Sequence, residues 1–251
     1  MQPRADFVRA MFARIARCYD FMNRLMTLGR DRAWRRYVAR QAALPQGELR
    51  PEASSRGSAR GAQPEGLALD VATGTADLAL ALARQSPHGR VVGVDFCPEM
   101  INMGRVKVAK AGQNPRIRFV IGDALQLPFA DGRFDAVTSG FALRNVTDIP
   151  QAFAEMGRVV KAGGRVVNLE IARPTLPVFC QIFHIYFYRL VPLLGRVIAG
   201  QREAYHYLPN SLTHFLSPEE LKAVMERVGL SQVWYRRLML GTVAVHVGLK
   251  E

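Results

Sequence analysis

From Leu67 onward, short apolar runs alternate with longer amphipathic stretches. Five runs, Leu67–Val71, Arg90–Asp95, Arg118–Ile121, Phe134–Thr138 and Gly164–Glu170, predict strands bounded by turn residues. Between and after them, residues 77–84, 98–111, 149–160 and 218–228 carry apolar positions at three- and four-residue steps and predict helices. Short strands separated by helices build a parallel, doubly wound sheet covered on both faces. The end of the chain departs from this rule. Residues 233–237 and 243–249 predict two strands with too few residues between them for a parallel crossover, so they must pair antiparallel.

Upstream, Val8, Met11, Phe12, Ile15, Tyr19, Met22, Leu25 and Met26 predict one or two amphipathic helices, with Arg9, Arg14, Arg17 and Arg24 between the apolar positions. Residues 45–66 are rich in Gly, Ser, Pro, Ala and Arg without periodicity and read as a flexible linker. Residues 176–199 are apolar and aromatic enough to suggest a membrane span. Gln181, His184, Arg189, Pro192 and Arg196 interrupt them, and charge near a bilayer centre is costly, so a helical lid at about 174–215 is the expectation. The predicted organisation is therefore a helical segment over 1–44, a linker over 45–66 and one core domain over 67–251.

Charge sharpens the picture only at the N-terminus. Of a formal net charge of +13, about half sits in the first forty residues, where ten arginines face three aspartates. Such a segment suits nucleic acid, an anionic membrane face or an acidic substrate, or is simply a solvated helix surface. Cys18, Cys97 and Cys180 are too few and too scattered for a disulfide framework, which predicts a reducing compartment. No His/Cys/carboxylate cluster has metal-ligand spacing, so no metal is expected.

The candidate chemistry lies at the ends of the first three strands. Leu69-Asp70-Val71-Ala72-Thr73-Gly74-Thr75-Ala76-Asp77 is a strand, a small-residue turn and a helix start, where Gly74 lets backbone approach a ligand and the helix offers free N–H groups. Asp95 ends the second strand, 21 residues after Gly74, where a carboxylate can accept both hydroxyls of an adenosine ribose. A third acid, Asp123, follows the third strand. The turn lacks the three glycines of a pyrophosphate-binding G-x-G-x-x-G, which favours S-adenosylmethionine (SAM) over a dinucleotide.

Further stretches carry a resemblance. Tyr19-Asp-Phe-Met-Asn23 with Trp34-Arg-Arg36, Leu127-Pro128-Phe129, Phe141-Ala-Leu-Arg-Asn-Val-Thr-Asp148 and Tyr205-His-Tyr-Leu-Pro-Asn-Ser211 together resemble the ubiquinone/menaquinone biosynthesis C-methyltransferases over nearly the whole chain. The resemblance implies an α/β, Rossmann-like class I methyltransferase fold, with a mostly parallel seven-stranded sheet and an antiparallel last strand. It implies SAM as cofactor, contacted at Thr75, Asp95, Asp123 and Ala124. One branch of the family has Ser where Gly140 stands, so a contact at Gly140 would be through backbone. The family's turn often ends in Gly where this chain has Ala76. The turn and Val94-Asp-Phe96 are closer to the menaquinone branch.

The implied reaction is C-methylation of a prenylated quinol, demethylmenaquinol or, alternatively, the benzoquinol precursor of ubiquinone. By resemblance Arg144 and Tyr19 fall in the active site. Arginine is a poor base, so Arg144 is expected to stabilise a phenolate, although an arginine there would also suit a neighbouring carboxylate. Tyr19 would equally suit a helix tyrosine packed at the core edge. His206 and His214 read as loop histidines outside the catalytic set. The lid would hold the prenyl tail, and with the basic N-terminus it suggests a cytoplasmic enzyme peripherally attached to the inner membrane face. The Asn/Asp-Pro-Pro-aromatic motif of amino-group methylases is missing, which argues against a nucleic-acid substrate. A non-catalytic SAM-binding subunit is the remaining rival, and a homo-oligomer stays open.

Overall fold

The computed structural model describes residues 2–44, 66–198, 207, 211–213 and 215–251. The linker expected at 45–66 lies outside the described residues except for Gly66, and so do Tyr205, His206, 208–210 and His214.

Seven strands form one sheet in the order β3-β2-β1-β4-β5-β7-β6. They are β1 (Leu67–Val71), β2 (Arg90–Asp95), β3 (Ile117–Ile121), β4 (Phe134–Gly140), β5 (Val160–Ile171), β6 (Leu230–Leu238) and β7 (Val243–Lys250). The first five run parallel. β7 runs antiparallel to both β5 and β6, and a single turn of 3-10 helix, Met239–Gly241, joins the last two strands. The expected sheet is therefore found, with the last strand in sequence lying inside it rather than at its edge.

Alternation along the strands assigns the faces. Ala68, Ala136, Val167 and Val245 point to one side, where α2 (Asp31–Ala42), α3 (Asp77–Gln85) and Val108 of α4 (Pro98–Lys110) cover them. Leu69, Val137 and Val166 point to the other, beneath α5 (Ile149–Val159) and α8 (Pro218–Arg227). Both helices of the second layer have side-chain caps, Asp148 accepting from the Gln151 N–H and Ser217 forming a full capping box with Glu220.

Two differences from the sequence reading have physical causes. β5 begins earlier than expected, at Val160, but its ladder with β4 skips residues 161–164, so the Gly163-Gly164 turn lies inside the strand: Gly163 has φ 75°, and a Cβ on Gly164 would lie 2.9 Å from the Lys161 carbonyl oxygen. A Cβ on Gly164 would lie 2.8 Å from the Asp135 carbonyl oxygen, so the glycine lets β5 cross close to β4 where their register shifts. The helical N-terminal segment is also two different things. α1 (Gln2–Met26) is a single helix of 25 residues that packs on α4 through Ala16, Cys97 and Met100. α2 instead buries Val38, Ala39 and Ala42 in the core of the sheet.

The segment expected as a lid runs from α6 (Pro177–Ile185) through a π-helical turn (Tyr186–Leu190) into α7 (Val191–Ile198). The Val191 N–H bonds to the Tyr186 carbonyl, five residues back. Pro192 supplies the reason: it has no N–H for the Tyr188 carbonyl and its ring crowds that carbonyl, so the preceding turn widens. Among the described residues, Pro177–Gly195 is the one helix long and apolar enough to cross a bilayer by length and composition, with mean hydropathy 1.3. Its inner side, Phe187 and Val191, packs on Met11, Ile15 and Met22 of α1, while Val178, Ile182, Ile185 and Leu193 are exposed.

One buried group makes stability depend on pH. His246 of β7 is buried, bonds through Nε2 to the Pro218 carbonyl at 2.9 Å and leaves Nδ1 unpartnered. Burial pushes its imidazole down to about 4. A depressed histidine contributes stability that is present above the unfolded value near 6.5 and is lost as pH falls through the folded one. His246→Gln keeps a donor for Pro218 without a titrating group. Between pH 7 and pH 4 wild type should therefore lose on the order of 3 kcal/mol relative to the variant, read as the difference between their urea-unfolding free energies.

Candidate active site

The turn after β1 is built from residues in unusual backbone conformations. Ala72, Gly74 and Ala76 all have positive φ, at 52°, 54° and 68°. Gly74 tolerates this freely; Ala76 does so at a cost, and its fully buried methyl packs near Gly104 of α4. Gly104 in turn lets α4 approach the turn, since a Cβ there would meet Ala76 and the Gly74 carbonyl at 3.3 and 3.4 Å.

Carboxylates hold the turn from below. Asp70 is buried and accepts from the hydroxyls of Thr73 (2.6 Å) and Thr138 (3.0 Å), and burial raises its carboxyl to about 6 against those bonds. Asp95 accepts the Gly74 N–H at 2.8 Å through one oxygen and the Cys97 N–H at 2.9 Å through the other. Burial raises its carboxyl, and these N–H groups pull it back. Each carboxylate oxygen retains a second acceptor position, so Asp95 can still take two ribose hydroxyls. The buried acid, the open glycine and the helix start together fit SAM.

Asp123 and Ala124 stand beside this acid, because the Gly122 N–H bonds to the Asp95 carbonyl at 3.1 Å. Asp123 is exposed and its Oδ1 accepts the Leu125 N–H at 2.9 Å; Ala124 is half-buried against the second core. Gly140 ends β4, where a Cβ would come within 3.3 Å of Leu78, and Phe141 next to it takes φ 60°. The Thr75 hydroxyl does not face an open site: it donates to Asp20 of α1 at 2.6 Å and accepts from Lys107 at 3.0 Å.

Next to the turn lies an apolar cavity of about 310 Å³ between α1, the lid and the end of β4. Phe12, Tyr19, Trp34, Phe141, Phe183 and Tyr186 contribute to its wall, with Arg35 and Arg144 as its cations. Arg144 sits in a 3-10 turn (Leu143–Asn145) just past β4 and is 9% exposed. Its Nη1 pairs with Glu170 at the end of β5, while its Nε and the Glu170 Oε2 have no partner. The carboxylate partner that the sequence allowed for Arg144 is thus found in Glu170, and the same side chain lines the cavity.

Tyr19 is the other residue drawn to this place. Burial raises its phenol above the ordinary value, opposed by Asn23, Arg144 and Arg35 in that order. The hydroxyl is therefore protonated at neutral pH and can donate a hydrogen bond, but not act as a base.

Sequence reasoning missed Arg35, Glu170, Asp20 and Lys107. Arg35 pairs with Asp31, lies 3.9 Å from Asp77 and stacks over the Phe141 ring at 5.7 Å. Burial would raise the Asp77 carboxyl, but Arg35 and Lys107 outweigh it and hold it below the usual range. A signal for Arg35 was present: Asp31 and Arg35 lie on the same helix stripe as buried Val38, Ala39 and Ala42, where charge needs a reason. Among the described residues no cluster of three or more His, Cys, Asp or Glu could hold a metal.

The fold is shared with solved structures of low sequence identity. A SAM-dependent methyltransferase from Thermotoga maritima aligns at TM-score 0.62 and 16% identity, over 96% of this chain and all of that one. The [4+2]-cyclase SpnF aligns at TM-score 0.62 and 17% identity, over 87% and 81%. At such identity these two show the fold alone. Sequence relatives are much nearer. The demethylmenaquinone methyltransferase of Roseiflexus castenholzii is 46% identical over 248 residues, covering 99% of this chain and 95% of the relative. The ubiquinone/menaquinone biosynthesis C-methyltransferase UbiE of Geobacter sp. (strain M21) is 41% identical over 251 residues, covering 100% and 99%. The demethylmenaquinone methyltransferase of Thermus thermophilus is 43% identical over 238 residues, covering 95% and 99%. A family profile described as the ubiE/COQ5 methyltransferase family matches residues 1–250, and the chain belongs to that family.

Proposed function

We propose that this protein methylates a ring carbon of demethylmenaquinol, giving menaquinol. The observation that supports the reading is the apolar cavity, with Arg144 and Tyr19 in its wall, joined to the turn that fits SAM through Asp20, next to Tyr19, which bonds to Thr75, and through Phe141, next to Gly140. The names of the relatives at 46% and 43% identity agree with it. Gly74, Thr75, Asp95, Asp123, Ala124 and Gly140 form the cofactor side of the site, with Thr75 and Gly140 contributing backbone. SAM, when bound, supplies an electrophilic methyl group on a sulfonium sulfur.

The residues of the chain do the rest. A ring carbon becomes nucleophilic when the neighbouring hydroxyl ionises, its proton passing to water, so the quinone must be reduced first; once the carbon has taken the methyl group, its hydrogen leaves as a proton to water and restores the aromatic quinol. Arg144, permanently charged, stabilises the developing phenolate, and Tyr19 donates a hydrogen bond to a ring oxygen. Phe141, Trp34 and the lid aromatics exclude water and hold the ring flat, so that binding supplies orientation. The relatives named for both quinones support a second reading, the benzoquinol precursor of ubiquinone.

The exposed apolar side of the lid and the arginine-rich α1 support a peripheral attachment to an anionic leaflet, from which the prenylated quinol is taken. The test combines three readouts. Expression in cells lacking their own methyltransferase should restore menaquinone by mass spectrometry, and restoration of ubiquinone alone would select the second reading. Transfer in vitro should require a reductant. The protein should co-sediment with anionic more than with neutral liposomes, less so at high salt, and equal binding to both would remove the electrostatic part.

A further inference from the structure

Four helical elements converge on the cofactor turn. Asp20 of α1 accepts the Thr75 hydroxyl through Oδ1 at 2.6 Å and pairs with Lys107 of α4 through Oδ2 at 2.5 Å. Lys107 also donates to Thr75 at 3.0 Å and pairs with Asp77 at 2.8 Å, at the start of α3. Arg35 of α2 approaches the same Asp77 from the cavity side. A hydroxyl has one proton to give, and that of Thr75 is given to Asp20.

The other packing of α1 on α4 is apolar, through Ala16, Cys97 and Met100, apart from a long bond from the Cys97 thiol to the Arg9 carbonyl at 3.9 Å, more than two helical turns from Asp20. Apolar contacts resist separation but let a helix roll about its axis, whereas a carboxylate held at both oxygens fixes the roll. Asn23 lies three residues after Asp20 on nearly the same helix face, and Tyr19 is its immediate neighbour. Both line the cavity.

We infer that Asp20 is a positioning residue that couples the cofactor turn to the substrate cavity, by fastening α1 to Thr75 and Lys107 so that ordering the turn orders the cavity wall. The inference rests on the SAM and quinol sites assigned under the proposed function. It goes beyond that assignment because it requires occupancy of one site to change affinity at the other, reciprocally. Asp20 touches neither reacting group, so its effect appears in coupling rather than in the intrinsic chemistry.

The experiment uses S-adenosylhomocysteine, which has no methyl to transfer, and a short-chain demethylmenaquinol. In wild type, saturating S-adenosylhomocysteine should tighten quinol binding by at least about 5-fold, the lower end of measured couplings. It should also slow amide exchange along residues 6–26. In Asp20→Ala both effects should vanish, with exchange in the sheet unchanged. Lys107→Met removes the same tie from the other side and should reproduce the loss, and the double variant should be no worse than either single one. Asp20→Asn keeps an acceptor for Thr75 and should retain part of the coupling. Full coupling and full protection of α1 in either single-site loss variant would overturn the inference, and so would absence of S-adenosylhomocysteine protection in wild type. The exchange arm needs no quinol. A wild type that transfers no methyl to the quinol yet shows Asp20-dependent protection would refute the proposed substrate and leave the coupling standing.

Discussion

Arg144→Ala should lose methyl transfer by on the order of 10²- to 10³-fold, while SAM affinity stays within a few-fold of wild type. The turnover loss follows from withdrawing one of the two cations that line the cavity among the described residues, the one proposed to meet the phenolate. The same substitution strands Glu170, a buried carboxylate whose other oxygen already lacks a partner, and should cost about 3–5 kcal/mol of stability. A single variant would therefore confuse catalysis with folding. Replacing both partners, Arg144→Met with Glu170→Met, removes the pair without leaving a lone charge, and should recover most of the stability while transfer remains lost. Denaturant unfolding and single-turnover transfer separate the two effects. Wild-type turnover in the double variant would reduce Arg144 to a structural residue.

Asp95→Ala acts on the other substrate. Two backbone donors and two ribose hydroxyls lose their acceptor together, which should weaken SAM binding by about 2–4 kcal/mol, roughly 30- to 1000-fold. The sheet should survive, since Asp95 is the last residue of β2 and its side chain lies beyond the ladder. Asp95→Asn should fail nearly as badly, because an amide has one acceptor oxygen and turns its NH₂ group toward a backbone N–H. Calorimetry gives the affinity directly. Thermal unfolding gives it again, since SAM should raise the midpoint of wild type and leave that of the variant almost unmoved.

The edge proposed to hold the cofactor was legible in the sequence because a parallel sheet places the ends of successive strands along one edge. Gly74, Asp95 and Asp123 could be assigned to that edge from alternation alone, and the Gly74–Asp95 hydrogen bond spans the 21 residues counted between them. The substrate side was legible only in part. Arg144 and Tyr19 were named by resemblance, but the Arg144–Glu170 pair crosses 26 residues and the Thr75–Asp20 bond crosses 55, and neither separation leaves a periodic trace. Glu170 was hidden further by its place in a run of β5 that is buried on both faces from Val166 to Glu170, where no alternation marks it out. The widened turn at Tyr186–Leu190 follows from Pro192, whose effect on the preceding turn local chemistry predicts. The first residue of β5 could not be read, because the Gly163-Gly164 turn hides the short pairing of Val160 with Phe134 ahead of it.

The size of the cavity also bears on which quinols the protein can tell apart. At about 310 Å³ it stands at the lower end of volumes that hold a small organic ligand, room for a bicyclic ring and the first branched carbons of its side chain. If the proposed quinol is the substrate, a polyprenyl tail of many units does not fit inside and has to leave; among the described residues Ile182 of the cavity wall is also exposed, on the apolar side of α6. A tail that ends outside the cavity is not measured by it, because each later isoprene unit lies beyond the cavity wall. Molecules that share a head and differ only in tail length would then be handled alike, and the length found in a given cell would be set wholly by the machinery that builds the tail.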